Sequence, residues 1–283
     1  LKIFHNKTDL SSHLQNLRKS EASIGFVPTM GALHNGHLSL VNFGLSDNDF
    51  VVVSIFVNPT QFNNTEDLEK YPRTLDRDVR LLETVSDSKI FVYNPSVEDI
   101  YDNNIASESF TFDGLEHEME GAFRPGHFDG VGTIVKRLLE IVKPNKAYFG
   151  QKDFQQLQIV KKMVELYKIP TEIIGCPIFR AADGLAMSSR NERLKPKYRV
   201  AAPFIYKTLK TAKTKFGTKS AKAVAEWVNK QFASHELLEL EYFLIADVKT
   251  LKPVKRKSTK KVYRAFIAVY ADDIRLIDNI ALN

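Results

Sequence analysis

The stretch Ser23-Ile-Gly-Phe-Val-Pro-Thr-Met-Gly-Ala-Leu-His-Asn-Gly-His37, continued by Leu38-Ser-Leu-Val-Asn-Phe-Gly-Leu45, decides the fold. Ser23–Val27 is a short apolar run closed by Pro28, which reads as a buried strand. Leu38–Leu45 reads as a helix. The segment between them holds Gly31 and Gly36 and the pair His34 and His37, three residues apart. A strand, a glycine-bearing turn and a helix start together build an anion site, because unpaired backbone N–H groups and the positive end of the helix dipole face one way. The spacing is neither that of a Walker A loop nor that of a G-x-G-x-x-G dinucleotide turn.

Outward from this stretch the same alternation continues. Phe50–Val57 (FVVVSIFV), Lys89–Tyr93, Ala147–Phe149 and Glu172–Ile174 read as strands. Val131, Ile134, Val135, Leu138, Leu139 and Val142 mark one buried helical face ended by Pro144, and Phe154–Tyr167 repeats the pattern before Pro170. Strands alternating with helices of this length predict an α/β fold with a Rossmann-like, doubly wound parallel sheet. Beyond residue 187 the character changes. Tyr198–Phe216 and Ser220–Ser234 read as helices, then Leu240–Val248, Lys261–Tyr270 and Ile274–Ile277 as strands of a smaller C-terminal α+β domain. We place the domains at 1–178 and 179–283.

Charge divides the chain in the same region. The net charge of +6 over 283 residues splits into −6 for residues 1–187 (19 Lys/Arg, 25 Asp/Glu) and +12 for the remainder (21 against 9). With 43% hydrophobic and 26% charged residues the chain has globular composition, not that of a disordered or fibrous protein. No run approaches the ~20 apolar residues of a membrane span. No basic stretch followed by an apolar run opens the sequence, so no secretory signal is expected. The one cysteine, Cys176, has no internal disulfide partner, and a reducing cytoplasmic setting is the expectation.

Three further polar clusters fall at strand ends or beyond the sheet. Asn58-Pro-Thr-Gln61-Phe62 follows the second strand, and Gly150-Gln-Lys-Asp-Phe-Gln-Gln156 follows the fourth, with Gln155 and Gln156 too polar for a core. Ligands bind beyond the carboxyl ends of such strands, so these clusters point to a shared pocket. Met187-Ser-Ser-Arg190 supplies two hydroxyls and a guanidinium suited to phosphate oxygens. A metal site would have to recruit His34, His37, His127 and Asp129, whose spacing matches no zinc pattern, so no protein-bound metal is expected. The six bases among residues 252–261 carry no interleaved aromatic residues, which favours a solvated hairpin loop over an RNA platform.

Together these residues resemble the pantothenate synthetase (pantoate–β-alanine ligase) family of the HIGH-motif nucleotidyltransferases. The matching stretches are PTMGALHNGH, VNPTQF, EKYPRTLDRD, RPGHFDGV, YFGQKDFQQL and DGLAMSSRN, in order across residues 25–194, with RLIDNI near the C-terminus. The resemblance implies ATP-dependent condensation of (R)-pantoate with β-alanine through a pantoyl-adenylate, giving pantothenate, AMP and pyrophosphate. It implies Mg²⁺ carried with ATP, a cytoplasmic homodimer and a C-terminal domain acting as a lid, and neither nucleic acid nor membrane as partner. It assigns catalysis to His37, His34 and Lys152. The ATP-binding set would be Met30, Gly31, Ala32, Leu33, His34, Asn35, Gly36, His37, Gly150, Gln151, Lys152, Asp153, Phe179, Met187, Ser188, Ser189 and Arg190. Gln61 and Gln156 would hold pantoate, Gln61 also lying near β-alanine. These glutamines distinguish this reading from a related adenylyltransferase with another acceptor. Asn35 stands where an acidic residue is usual, Gln151 where Glu is common, and Arg77 interrupts an acidic run. The first two imply altered nucleotide affinity rather than lost chemistry.

Overall fold

The computed structural model describes residues 1–62, 68–102 and 104–283. They form two compact units: Leu1–Gln151 with Gln155–Pro177, and Lys152–Phe154 with Ile178–Asn283. Among the described residues no helix is long and apolar enough to cross a membrane.

The first unit is built on a six-stranded parallel sheet in the order β1-β4-β3-β2-β5-β6. Its strands are β1 (Lys2–Phe4), β2 (Ile24–Thr29), β3 (Phe50–Ile55), β4 (Ile90–Tyr93), β5 (Lys146–Gly150) and β6 (Glu172–Cys176). The helices are α1 (Lys7–Lys19), α2 (Asn35–Asp47), α3 (Leu75–Glu83), α4 (Val97–Tyr101), α5 (Met119–Phe123), α6 (His127–Val142) and α7 (Phe154–Tyr167). A parallel sheet covered on both faces buries every side chain of its central strands, which is why Phe50–Val57 is a continuous apolar run rather than an alternating one. Val51, Val52, Val53, Ile90 and Val92 are fully buried. The chain leaves β2 toward β3 and β4, then returns to β5 on the other side of β2, so the direction of winding reverses beside β2. The carboxyl ends of strands at such a switch point are where open α/β sheets bind ligands.

Pro28 does not close the first strand. β2 runs through it to Thr29, with Pro28 in register with Ser54 of β3. In a parallel ladder alternate residues face opposite neighbours. Thr29 O accepts from Phe56 N on the β3 side, so Pro28 faces β5. There the register runs only through Gly25–Lys146 and Phe26–Ala147. A missing N–H is harmless where the ladder has ended.

The second unit has helices α8 (Pro196–Ala201), α9 (Phe204–Thr218) and α10 (Ala221–Ala233), and an antiparallel sheet of β7 (Glu239–Asp247), β8 (Tyr263–Ala271) and β9 (Ile274–Ala281). Leu209, Ala212, Phe216, Val224, Val228, Ile245, Ile267 and Val269 are in its core. The single helix expected over Tyr198–Phe216 is two, broken at Ala202-Pro203. Ala202 and Pro203 both keep helical backbone, but proline lacks the N–H that a continuous helix needs at this position, so the hydrogen-bond ladder is interrupted there. Ser220 caps α10, its side chain accepting from Ala223 N.

Two glycines give opposite predictions. A Cβ on Gly130 in α6 would lie 2.3 Å from Thr60 O and 3.0 Å from Gln61 Cα, both backbone atoms. Gly217 of α9 has open space around it. Gly130→Ala should lower unfolding free energy by about 1–3 kcal/mol through overpacking. Gly217→Ala should raise it by up to about 1 kcal/mol through helix propensity. Urea unfolding of both variants checks the two signs.

Candidate active site

The turn after β2 is held from several sides. Thr29 Oγ1 donates to Ser54 O at 2.7 Å and accepts from Gly31 N at 3.2 Å. Gly31 (φ +82°) and Ala32 (φ +50°) are both left-handed. A Cβ on Gly31 would also lie 3.1 Å from both Asp78 Oδ2 and Ile55 Cγ2, so glycine is required there on two counts. The left-handed pair turns the Ala32 and Leu33 N–H groups inward onto Asp78 of α3, at 3.0 Å and 2.8 Å. Thr74 Oγ1, one helical turn before Asp78, donates to the same carboxylate at 3.2 Å. Asp78 is fully buried. Burial pushes its pKa above the ordinary value, against the opposing pull of its hydrogen bonds and of Arg77.

Past this anchor Leu33 enters the core and His34 caps α2. His34 Nδ1 accepts from Gly36 N at 3.1 Å, and His37 Nδ1 accepts from His34 N at 3.3 Å. This is a capping box made of two imidazoles. The rings stack, centroids 4.1 Å apart. Because each Nδ1 accepts, the proton of each neutral ring sits on Nε2, making it a donor. The turn therefore sets two Nε2–H donors at the positive end of a 13-residue helix, an arrangement suited to an oligophosphate. Asn35, the first residue of α2, is exposed.

The neighbouring strands β3 and β5 lead into the other polar clusters of this unit. Gln61 ends the 3₁₀ turn Pro59–Gln61 after β3. Its carbonyl accepts from His127 Nδ1 at 3.1 Å and from Arg124 Nη2 at 3.4 Å. Asn58, buried beneath, accepts from Tyr101 Oη at 2.5 Å and donates to Gly130 O at 3.2 Å. Gln156, in the first turn of α7, is half-buried. Gln155 is a correction, for it is only 4% exposed. Its Nε2 donates to Leu115 O at 2.8 Å and Glu118 O at 2.6 Å, and its Oε1 accepts from Glu120 N at 3.0 Å. A buried amide so satisfied is a structural tie. Gln151 Nε2 donates to Gly175 O at 3.1 Å, and Gly150 has open space where a Cβ would stand.

In the second unit Lys152, Ser188 and Arg190 line one pocket, together with Asn191, Arg275 and Asp278. Ser188 Oγ accepts from Arg190 N at 3.3 Å, which starts the 3₁₀ turn Ser189–Arg193. Asp153 is exposed and its carboxylate lies 3.8 Å from Lys152 Nζ. Phe179 is 41% exposed, and its carbonyl accepts from Met187 N at 3.0 Å across a short hairpin turned by Gly184 (φ +95°). Sequence reasoning missed Arg275, whose side chain is fixed by Glu241 Oε2 at 2.8 Å. It also missed the anchoring part of Asp78, whose partners Ala32 and Leu33 lie far back in the chain and leave no local signal. Among the described residues no group of three or more His, Cys, Asp or Glu could hold a metal ion.

The profile of the family described as pantoate-beta-alanine ligase matches residues 2–281. The chain belongs to the pantoate–β-alanine ligase family. Membership makes it an enzyme, a ligase. It is 59% identical over 280 residues to a pantothenate synthetase of Flavobacterium psychrophilum, covering 99% of both chains. It is similar to a crystal structure of pantothenate synthetase from Thermus thermophilus, with TM-score 0.91 and 37% identity, covering 100% of this chain and 99% of that one. A pantoate-beta-alanine ligase from Francisella tularensis, solved in complex with beta-gamma ATP and beta-alanine, is similar with TM-score 0.79 and 37% identity over 100% and 98% of the two chains.

Asp78→Asn should loosen the turn, since one amide oxygen cannot accept from both Ala32 and Leu33 and the NH₂ group opposes the second donor. The expected loss is about 1–3 kcal/mol of stability at neutral pH. With its folded pKa raised, Asp78's contribution is fullest below the unfolded value and declines as pH rises through the folded one. The gap between wild type and Asp78→Asn should therefore widen as pH falls from neutral toward the ordinary carboxylate value, measured by urea unfolding at each pH.

Proposed function

We propose that this ligase works in two steps on one carboxylate. An oxygen of (R)-pantoate attacks the α-phosphorus of ATP, the bond to the β-phosphate breaks, and pyrophosphate leaves. The amine of β-alanine then attacks the acyl carbon of the pantoyl-adenylate, a C–N bond forms, the C–O bond to AMP breaks, and the amine loses a proton. The first step is needed because a free carboxylate is anionic and has no leaving group. Adenylation corrects both faults, provided water is kept from the mixed anhydride.

The observation that carries the proposal is the imidazole-capped start of α2, locked by Asp78. His34 and His37 direct Nε2–H donors at the phosphates, and His37 stabilises charge on the α-phosphate during transfer without itself taking a covalent part. The segment Met30 to His37 lines the nucleotide. Lys152 and Arg190 supply positive charge, Ser188 and Ser189 short donors, and Gly150, Gln151, Asp153, Phe179 and Met187 complete the nucleotide-directed set. Gln61 and Gln156 hold the hydroxyls and carboxylate of pantoate. The main-chain clamp on Gln61 by His127 and Arg124 supports that role, since it fixes where the side chain starts. ATP enters as its Mg²⁺ complex, so the ion is part of the substrate. The remainder of the reading is a homodimer working in the cytoplasm.

Pyrophosphate and AMP release from Mg-ATP test the proposal. AMP turnover should require both pantoate and β-alanine. His37→Ala should lower it about 10²- to 10³-fold, the usual cost of one preorganised donor. AMP release indifferent to pantoate would overturn the substrate assignment, and an unimpaired His37→Ala would overturn the site.

A further inference from the structure

Lys152 has a tether that the reaction itself does not explain. In the second unit, Arg264 and Phe266 of β8 and Asn279 of β9 stand on one face of the sheet, because Phe266 is directly opposite Asn279 and Arg264 is two residues away. All three are nine-tenths or more buried, Asn279 at 2% exposure. Asn279 Nδ2 donates to the main-chain oxygen of Lys152 at 2.8 Å. Its Oδ1 accepts from Arg264 Nη1. The amide cannot be reversed, since a guanidinium only donates and a carbonyl only accepts. The same Arg264 guanidinium lies 4.3 Å from the centre of the Phe154 ring, and the Phe266 ring packs 5.8 Å from it. One sheet face thus grips the Lys152–Phe154 segment at both ends, by its first carbonyl and its last side chain.

The strand holding Asn279 is itself fixed. Asp278 Oδ1 accepts from Asn279 N at 2.7 Å, and the carboxylate takes both ends of the Arg180 guanidinium at 2.6 Å and 2.8 Å. Such bidentate pairs restrict orientation as well as distance. Arg264, by contrast, carries a buried charge, and burial pulls its pKa down to about 10 against the field of Asp278. Keeping a buried guanidinium is costly for stability alone, where an apolar side chain of similar size does as well.

We infer that Asn279, oriented by Arg264, is a positioning residue for Lys152: it fixes the main chain from which the lysine reaches into the pocket shared with Ser188 and Arg190. This rests on the reading of Lys152 as a residue directed at the nucleotide. The effect belongs to the adenylation step and not to the use of β-alanine.

Pantoate-dependent exchange of labelled pyrophosphate into ATP, without β-alanine, isolates that step. Asn279→Asp is the first variant, since it keeps the shape and the acceptor for Arg264 but sets an oxygen against Lys152 O. Exchange should fall about tenfold, in line with one lost buried hydrogen bond. KM for β-alanine in the full reaction should stay within about twofold of wild type. Lys152→Ala should lose about a hundredfold or more, and Asn279→Asp in that background should cost less than about twofold further. If Lys152→Ala exchanges at the wild-type rate, the reading of Lys152 fails and the tether with it. If Lys152→Ala is impaired but the two losses multiply, Lys152 keeps its part and Asn279 does not act through it. Should Asn279→Asp lack a cooperative thermal transition, Arg264→Lys replaces it. That variant keeps the charge without the flat face on Phe154, and the same non-additivity with Lys152→Ala is required.

Discussion

A fully buried carboxylate would ordinarily be a fault in a small enzyme, yet the geometry of the first unit's polar edge depends on one. Asp78 reaches from α3 to take the N–H groups of Ala32 and Leu33. Removing an ion of this kind from water costs several kcal/mol even after relaxation. Three donors converging on two oxygens offset part of that cost, and the same hydrogen bonds hold Ala32 in a left-handed conformation that an L-residue otherwise avoids. Once Leu33 is pinned, His34 can only enter α2 as its cap. The tautomers of both histidines then follow from the backbone N–H groups they accept. The direction in which two imidazoles donate thus depends on a side chain about forty residues along the chain, bonded to the turn that precedes them.

This dependence marks the limit of what the sequence discloses. The parallel sheet was legible because FVVVSIFV and KIFVY are short, β-branched apolar runs of the kind two-sided burial produces, and the helical periods at Val131–Val142 and Phe154–Tyr167 supplied the alternation of strand and helix. The histidine pair was legible from its place between strand and helix. Asp78 was not, since an acid in a polar run looks solvated until its partner is known, and nothing local to Thr74–Asp78 names Ala32. The same holds for Gln155, polar in type but buried through contacts with Leu115, Glu118 and Glu120. Local pattern also overstated proline at Pro28 and understated it at Pro203. The difference lies in hydrogen-bonding geometry: Pro28 faces a ladder that has ended, whereas Pro203 would have sat within a helix that still needed its N–H. The three-residue β1 is too short to announce itself, and becomes a strand by pairing with β4.

The two units place their polar groups by different means. In the first, the backbone dominates: left-handed turns, a helix start and strand ends bring N–H groups and short side chains into fixed directions. In the second, long cationic side chains are held by anionic or amide partners, as Arg180 is by Asp278, Arg275 by Glu241 and Arg264 by Asn279. Long side chains lose much rotamer freedom when ordered. A partner at the guanidinium ties down that freedom during folding, so less remains to be lost when an anion arrives.

That logic bears on the excess of positive charge in the C-terminal third. The run from Lys252 to Lys261 joins β7 to β8, and its members are not equivalent. Lys257 donates to Phe216 O and lies over the Phe216 ring, closing the end of α9. Lys261 pairs with Asp247 at 3.2 Å, and Asp247 also accepts from Lys249 N and Thr250 N, ordering the start of the same connection. A cation at a helix C-terminus answers the unpaired carbonyls and the negative end of the dipole. Part of the basic run is therefore committed to folding the connection that carries it. A stretch of lysines that reads in one dimension as a surface for polyanions has, in three, a local reason for at least two of its charges. Charge density along a sequence is for that reason weak evidence of a nucleic-acid partner until each base has been matched to what it touches.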